Sequence, residues 1–483
     1  MNRLKAARDL LNKYLSDTLY LKIYLILVWF LSEMPVLMPY MALPLRIGML
    51  WGGLCLLWDL CTGRRALRMR YAPAAWGFIV CLLITVLLNW PTEISANLLE
   101  VAFTILLLLV MFPGHPSGPD KCPLLREMSA VNTLLCVLTL VASLISLGMF
   151  VVQFGTRFEY HDMSYPIGFV EQRLTGIYRN AIYPTALLGL LAAVIQWTVV
   201  DACGYRHKGW WRALLIATVV ADGCFACLAN SRALLVALLA AAALIVCFAV
   251  RRLLTAGEGL WPRLRRAAVS LLAAAVACAA IYACFLLVRY AFSYLPAVYE
   301  RLTAPTTQSG TPTGDGQPID LERYIPEEYG TLTGRPEIWA KGLRYFAEKP
   351  VFGYGPFTLS QTLKLDHSDE PLTHFHNIFV QGLVASGAVG AAFLFFILFG
   401  LVFCTARHTI LSRGGPYDGV CLCLTALLAF LYVTNLADVT ILYMNKLSGC
   451  LFWIYAGYAL AMMDLDRPAR RWLHKRAEAE HEK

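Results

Sequence analysis

The residues of this chain with most chemical potential are one histidine and a few arginines. His376-Asn377 opens a long apolar run, with Gly387 eleven positions after the histidine and Gly390 three further on. At about 100° per residue, a continuous helix would set His376 and Gly387 on one face, about 16 Å apart. Gly382, Ser386 and Gly390 add a small-xxx-small series along which a neighbouring helix can approach closely. A neutral imidazole can take a proton from a hydroxyl. The plain alternative is an interfacial histidine above an ordinary packing groove. His374 has no assigned role. The arginines are Arg173 in Arg173-Leu-Thr-Gly176, Arg179, Arg232 in Asn230-Ser231-Arg232, and Arg335. A guanidinium stays charged at any physiological pH, and its fork matches phosphate oxygens. The alternative for each is a surface cation snorkelling towards lipid headgroups.

The elements that would carry these residues are membrane spans. Of 483 residues, 58% are hydrophobic and 15% charged, and the mean hydropathy is +0.59. A soluble domain carries about 25% charged residues. Apolar runs long enough to cross a bilayer as helices recur about twelve times between Leu21 and Met463. Continuous runs such as Ala267–Val288 and Phe375–Thr405 favour helices over a β-barrel, which would alternate in short segments. The expected fold is therefore an all-α polytopic membrane protein. Residues 1–292 read as an N-terminal bundle of about nine spans and 293–374 as a large extracytoplasmic loop with short helices. Residues 375–463 read as the C-terminal spans and 464–483 as a basic tail.

Charge orients the spans. Basic clusters around Arg3–Lys13, Arg64–Arg70, Arg206–Arg212, Arg251–Arg266, Arg407/Arg413 and Arg467–Arg476 all fall on one side. That side is the cytoplasm, so both termini are expected there. The net charge of +9 needs no nucleic-acid partner to explain it. The start, Met1–Asp17, reads as a basic amphipathic helix without a cleavage site. Most of the fifteen cysteines lie in apolar runs, and the loop Ser293–His374 has none, so no disulfide framework and no thiolate metal site is expected. Asp222 lies inside a span and is a functional candidate by default, although a structural role fits equally.

On the outer side, Gly334-Arg335-Pro336-Glu337 starts a helix carrying Ile338, Trp339, Gly342, Leu343 and Phe346 as an apolar stripe. It should lie along the membrane surface and end at Pro350 and the Gly353-Tyr354-Gly355-Pro356 turn. Arg335 at its start stands where free backbone N–H groups already favour an anion.

Taken in order, these pieces resemble the bacterial O-antigen ligase family. His376-Asn377, nine residues, Gly387, two residues, Gly390 matches its H-N-x9-G-x-x-G signature, with Arg173-Leu-Thr-Gly176, Ser231-Arg232 and Gly334-Arg335 through Gly353-Tyr354-Gly355 as supporting pieces. The resemblance covers roughly Val151 to Phe399. It implies a GT-C-like membrane glycosyltransferase in the bacterial cytoplasmic (inner) membrane, with its site on the extracytoplasmic face. Such an enzyme takes a glycan from an undecaprenyl diphosphate carrier and passes it to the hydroxyl of a glycolipid, wall polymer or other glycan. No cofactor, nucleotide sugar or metal ion is implied. In that frame His376 serves the acceptor, and Arg173, Arg179, Arg232 and Arg335 hold the diphosphate. Asn377, Ser231, Tyr354, Gly387 and Gly390 support them. The alternatives are a polymerase with a lipid-linked glycan acceptor, a lipid-linked glycan flippase or transporter, and a structural scaffold.

Overall fold

The computed structural model describes residues 13–90, 93–113, 122–161, 163–180, 184–203, 209–254, 259–303, 317–321, 334–366, 374–411, 415, 417–443 and 446–463. The expected N-terminal basic helix, much of the loop expected at the extracytoplasmic face and the expected basic tail lie outside them. The helices, in chain order, are α1 (Leu19–Ser32), α2 (Ala42–Cys61), α3 (Ala72–Leu88), α4 (Ile94–Met111), α5 (Cys122–Val151), α6 (Thr185–Ala202), α7 (Gly209–Ala229), α8 (Arg232–Leu253) and α9 (Leu260–Ser293). They continue with α10 (Leu295–Thr303), α11 (Arg335–Glu348), α12 (Pro356–Asp366), α13 (Ile378–Leu411), α14 (Asp418–Asn435) and α15 (Leu447–Met463). Among the described residues, nine helices are long and apolar enough to span a membrane, and α1, α3 and α15 are apolar but shorter. Each expected run overlaps one of these. Exposed leucines and valines on α9, such as Leu271, Leu272 and Val276, suit a lipid-facing surface.

Two compact units make up the chain. One comprises residues 1–28, 43–128 and 328–483; the other comprises 29–42 and 129–327. In the first, α3 packs on α13, and a buried ion pair links α1 to α5. Lys22 Nζ lies 2.5 Å from Glu127 Oε1, and the Tyr458 hydroxyl of α15 donates to the same oxygen. Both charged side chains are essentially unexposed, so each depends on the other.

The helix carrying the glycine signature is broken. Gly387 has φ 64° and ψ −176°, a conformation essentially confined to glycine. His376, moreover, precedes the helix and has φ 48°. The expected single face running from His376 to Gly387 is therefore corrected: no continuous helix joins them. The break leaves backbone groups without helical partners, and the segment 350–355 supplies them. Ala388 and Val389 N–H donate to the carbonyls of Pro350 and Val351, while the carbonyls of Val384 and Ala385 accept from Tyr354 and Gly355 N–H. From α3, Thr85 Oγ1 donates to Phe352 O (2.7 Å) and Asn89 Nδ2 to Gly353 O (3.1 Å). Asn97 of α4 caps α12, its Oδ1 accepting from Phe357 N–H at 2.9 Å. Irregular backbone buried in an apolar setting needs this full pairing.

The second unit departs from the all-α expectation. Residues 155–176 form an antiparallel meander of β1 (Gly155–Tyr160), β2 (Met163–Val170) and β3 (Arg173–Gly176), with a register shift between Gly168 and Phe169. Phe158, Tyr160, Tyr165, Ile167 and Phe169 are good strand formers. Leu174 and Thr175 of β3 are buried, and Gly176 (φ 61°) sits so close to Ser146 of α5 that a Cβ would collide. Asp222 is fully buried and accepts from the Ser143 hydroxyl at 2.7 Å, tying α7 to α5.

Candidate functional site

Among the described residues of the first unit, a polar cluster surrounds His376. The preceding Phe375 is fully buried beside Tyr345 and against Gly342 of α11, where an added Cβ would lie 3.1 Å from the phenyl ring. That plug fixes the backbone and leaves the two flanking histidines with ring centroids 4.1 Å apart. Asn377 is the N-cap of α13: its Oδ1 accepts from Phe379 N–H (2.9 Å) and Val380 N–H (3.2 Å), and its amide donates to Leu436 O. It therefore holds the histidine's loop against the connection that follows α14.

That connection brings a carboxylate. Asp438 Oδ1 lies 3.3 Å from His374 Nε2 and 3.8 Å from His376 Nδ1, and Oδ2 lies 3.3 Å from Lys446 Nζ. The segment is buried and irregular. Asn435 Oδ1 accepts from Thr440 and Ile441 N–H, and Trp453 donates to Ile441 O. The last apolar run was expected to be helical from Ile441; the helix starts at Leu447, since the backbone groups of Thr440 and Ile441 are bonded to Asn435 and Trp453 instead. Lys446, His374 and Asp438 are nearly covered, whereas the His376 side chain is 33% exposed. His376 is thus the member of the cluster open to a substrate.

The electrostatics follow from burial and charge. Burial alone would raise the Asp438 carboxyl, but the Lys446 charge, the His374 hydrogen bond and the nearby His376 ring outweigh it and hold the group well below the usual carboxylate range. Burial pushes the His374 imidazole down, opposed in part by its bond to Asp438. A stable Asp438 carboxylate facing Nδ1 favours the proton of His376 there, leaving Nε2 with a lone pair. His374, His376 and Asp438 offer ligand atoms within 4.8 Å of one another and are the group among the described residues able to hold a metal ion. Lys446 already neutralises Asp438, so a dication would be added beside a buried cation.

The predicted cations distribute between the units. Arg335 is the first residue of α11, which packs on α13 through Gly342 against Val380. The stripe on α11 is therefore met partly by protein, although Leu343 is exposed. Tyr354 is buried, donates to Glu348 and lies under Lys349. In the second unit, Arg173 Nε donates to the carbonyl of Ala229, the last residue of α7, at 3.2 Å. It thus meets the Asn230-Ser231-Arg232 turn. Arg232 is exposed at the start of α8, and Ser231 occupies the N-cap position without a side-chain cap bond. The Arg179 N–H donates to Glu33 O, and its guanidinium lies 3.2 Å from the Met38 sulfur. Gly390 is packed tightly against Ser386 and Cys81, and Gly387 against Val351. Asp438 and Lys446 escaped the sequence reading. The available signal was a lysine and an acid beside the last span, a pairing that usually has a purpose.

Apolar helices of membrane-crossing length define an integral membrane protein, whose described residues include a largely buried histidine–carboxylate–lysine cluster with His376 half-buried. Residues 217–395 match the family described as Wzy_C, O-Antigen ligase, which bears out the resemblance carried by His376-Asn377, Gly387 and Gly390. The matched stretch includes Ser231, Arg232, Arg335 and Tyr354 and ends before Asp438. No curated protein matches the chain.

Proposed function

We propose that this protein is a glycosyltransferase of O-antigen ligase type, moving a glycan from undecaprenyl diphosphate to an acceptor hydroxyl at the extracytoplasmic face of a bacterial cytoplasmic membrane. The observation that carries the reading is the contact between His376 Nδ1 and Asp438, within a chain whose residues 217–395 match the ligase family. The acceptor oxygen attacks the anomeric carbon, the bond from that carbon to the diphosphate oxygen breaks, and the lipid diphosphate leaves with the electron pair. The acceptor's proton goes to His376 Nε2, and Asp438 stabilises the imidazolium that forms. Lys446 and His374 keep Asp438 ionised and fixed. Negative charge growing on the leaving diphosphate requires cations, and Arg173, Arg179, Arg232 and Arg335 are the proposed ligands. The acceptor is a glycolipid, wall polymer or another glycan; the polymerase reading shares the donor and differs in this partner.

The test is transfer from a lipid diphosphate-linked glycan by purified protein in which His376 is replaced by Ala, with membrane insertion verified. Loss of about 10²- to 10⁴-fold is expected for a general base. Undiminished transfer overturns the assignment.

A further inference from the structure

His374 and His376 flank a fully buried Phe375, and the chain turns both rings to one side, their centroids 4.1 Å apart. One carboxylate oxygen faces both: Asp438 Oδ1 lies 3.3 Å from His374 Nε2 and 3.8 Å from His376 Nδ1. The three atoms fall within 4.8 Å of one another. In a tetrahedral zinc site, with bonds of about 2.0–2.2 Å, neighbouring ligand atoms stand about 3.3–3.5 Å apart. The first pair has that spacing, and the second reaches it by a small turn of the His376 ring. That ring is 33% exposed, which gives it room to turn and leaves a fourth position open to water. The backbone on both sides is already fixed, because Asn377 holds the start of α13 to Leu436 O and Asn435 holds Thr440 and Ile441. Two imidazoles, a carboxylate and one open position form a donor set for zinc, whereas magnesium and calcium take oxygen ligands.

We infer that His374, His376 and Asp438 form an inhibitory site for Zn²⁺, a metal that stops glycan transfer rather than serving it. The inhibition rests on the reading of His376 as base given above; the binding does not. Zinc takes the lone pair of His376 Nδ1, so the proton held there passes through water to Nε2 and the imidazole stays neutral. With metal at Nδ1 and a proton at Nε2, the ring has no lone pair left for an acceptor hydroxyl. His374 gives Nε2 to the metal in the same way, its proton passing to Nδ1. Lys446 works against the ion. Its Nζ lies 3.3 Å from Asp438 Oδ2, the oxygen turned away from the histidines, so it leaves Oδ1 to the metal. Its charge nevertheless repels a dication bound there, and zinc affinity is lower than these donors alone would give.

The experiment uses the full chain, purified in detergent without a histidine tag and stripped with EDTA. Co²⁺ is the spectroscopic probe, and Zn²⁺ then displaces it. One equivalent of cobalt should bind with the visible spectrum of a low-coordinate site and no sulfur charge-transfer band, because the donors are nitrogen and oxygen. Excess Mg²⁺ should not compete. His374→Ala and His376→Ala should each weaken binding about a hundredfold or more, one ligand of three being lost. Lys446→Gln should tighten it about tenfold, a direction that damage to the fold would not produce. Zinc should stop transfer over the concentrations at which it binds, EDTA should restore it, and Lys446→Gln should lower the concentration needed. Cobalt held through sulfur, binding unchanged in both histidine variants, or binding unchanged or weakened in Lys446→Gln would overturn the site. An absence of binding would remove the metal site and leave His376 as the base. Zinc held by the cluster with transfer undiminished would overturn the inhibition and the base together.

Discussion

Replacing Gly387 with alanine tests how the helix break in α13 is held. At φ 64° and ψ −176°, a side chain is strained by about 1–3 kcal/mol. The new Cβ would also lie 2.2 Å from Val351 O and 2.5 Å from Phe352 N, both backbone atoms that cannot rotate away. The alternative is to straighten the helix. That regains two helical bonds but breaks the four bonds to Pro350, Val351, Tyr354 and Gly355. The net loss is two bonds at about 0.5–1.5 kcal/mol each, plus the penalty for loop groups left unpaired. Either route destabilises by about 2–5 kcal/mol. The assay is thermal unfolding of the detergent-solubilised protein, followed by size exclusion after a heat step, with glycan transfer measured in parallel. Gly148→Ala is the control: a Cβ there meets nothing within 4 Å in the last turn of α5, and up to about 0.5–1 kcal/mol of stabilisation is expected. Unchanged melting of Gly387→Ala, with transfer intact, would refute the paired-break account.

Three further outcomes are expected. Lys22→Met should destabilise by about 3–5 kcal/mol by leaving Glu127 buried without its cation, whereas Lys22→Met combined with Glu127→Gln should recover most of that loss in the same melting assay. For His374, the folded pKa lies below the unfolded one, so the unfolded state binds the extra proton first. Stability should fall as pH drops through about 6.5, the unfolded histidine value, and His374→Gln should flatten that slope in melting curves from pH 7.5 to 5.5. Arg335→Lys keeps the charge but loses the fork; transfer should fall by about tenfold or more if the site is bidentate, while a snorkelling cation would tolerate the change.

The sequence revealed the spans because apolar runs of bilayer length survive any tertiary arrangement. It also marked His376, since a histidine followed by Asn and spaced glycines is a local pattern. What it concealed was non-local. Asp438 is 62 positions after His376 and meets it where the irregular connection after α14, tied by Asn435 and Trp453 at residues 440 and 441 and by Asn377 at Leu436, returns to the start of α13. The role of Gly387 was misread for the same reason: a glycine in an apolar run reads as part of a continuous helix until a partner segment such as 350–355 is known. The meander at 155–176 was missed as a sheet because its strands are short and lie between spans, although its alternating aromatics carried the signal. Asp222, open to either reading, ties two helices through Ser143.

Whether Asp438 acts through His376 is decided by a double-variant comparison of glycan transfer from a lipid diphosphate donor. His376→Ala, Asp438→Asn and the combined variant are compared as inserted, folded proteins. If Asp438 serves the histidine, the combined loss equals that of His376→Ala alone, since members of one catalytic unit are not additive. Losses that multiply, or an Asp438→Asn protein with normal transfer, would contradict the account.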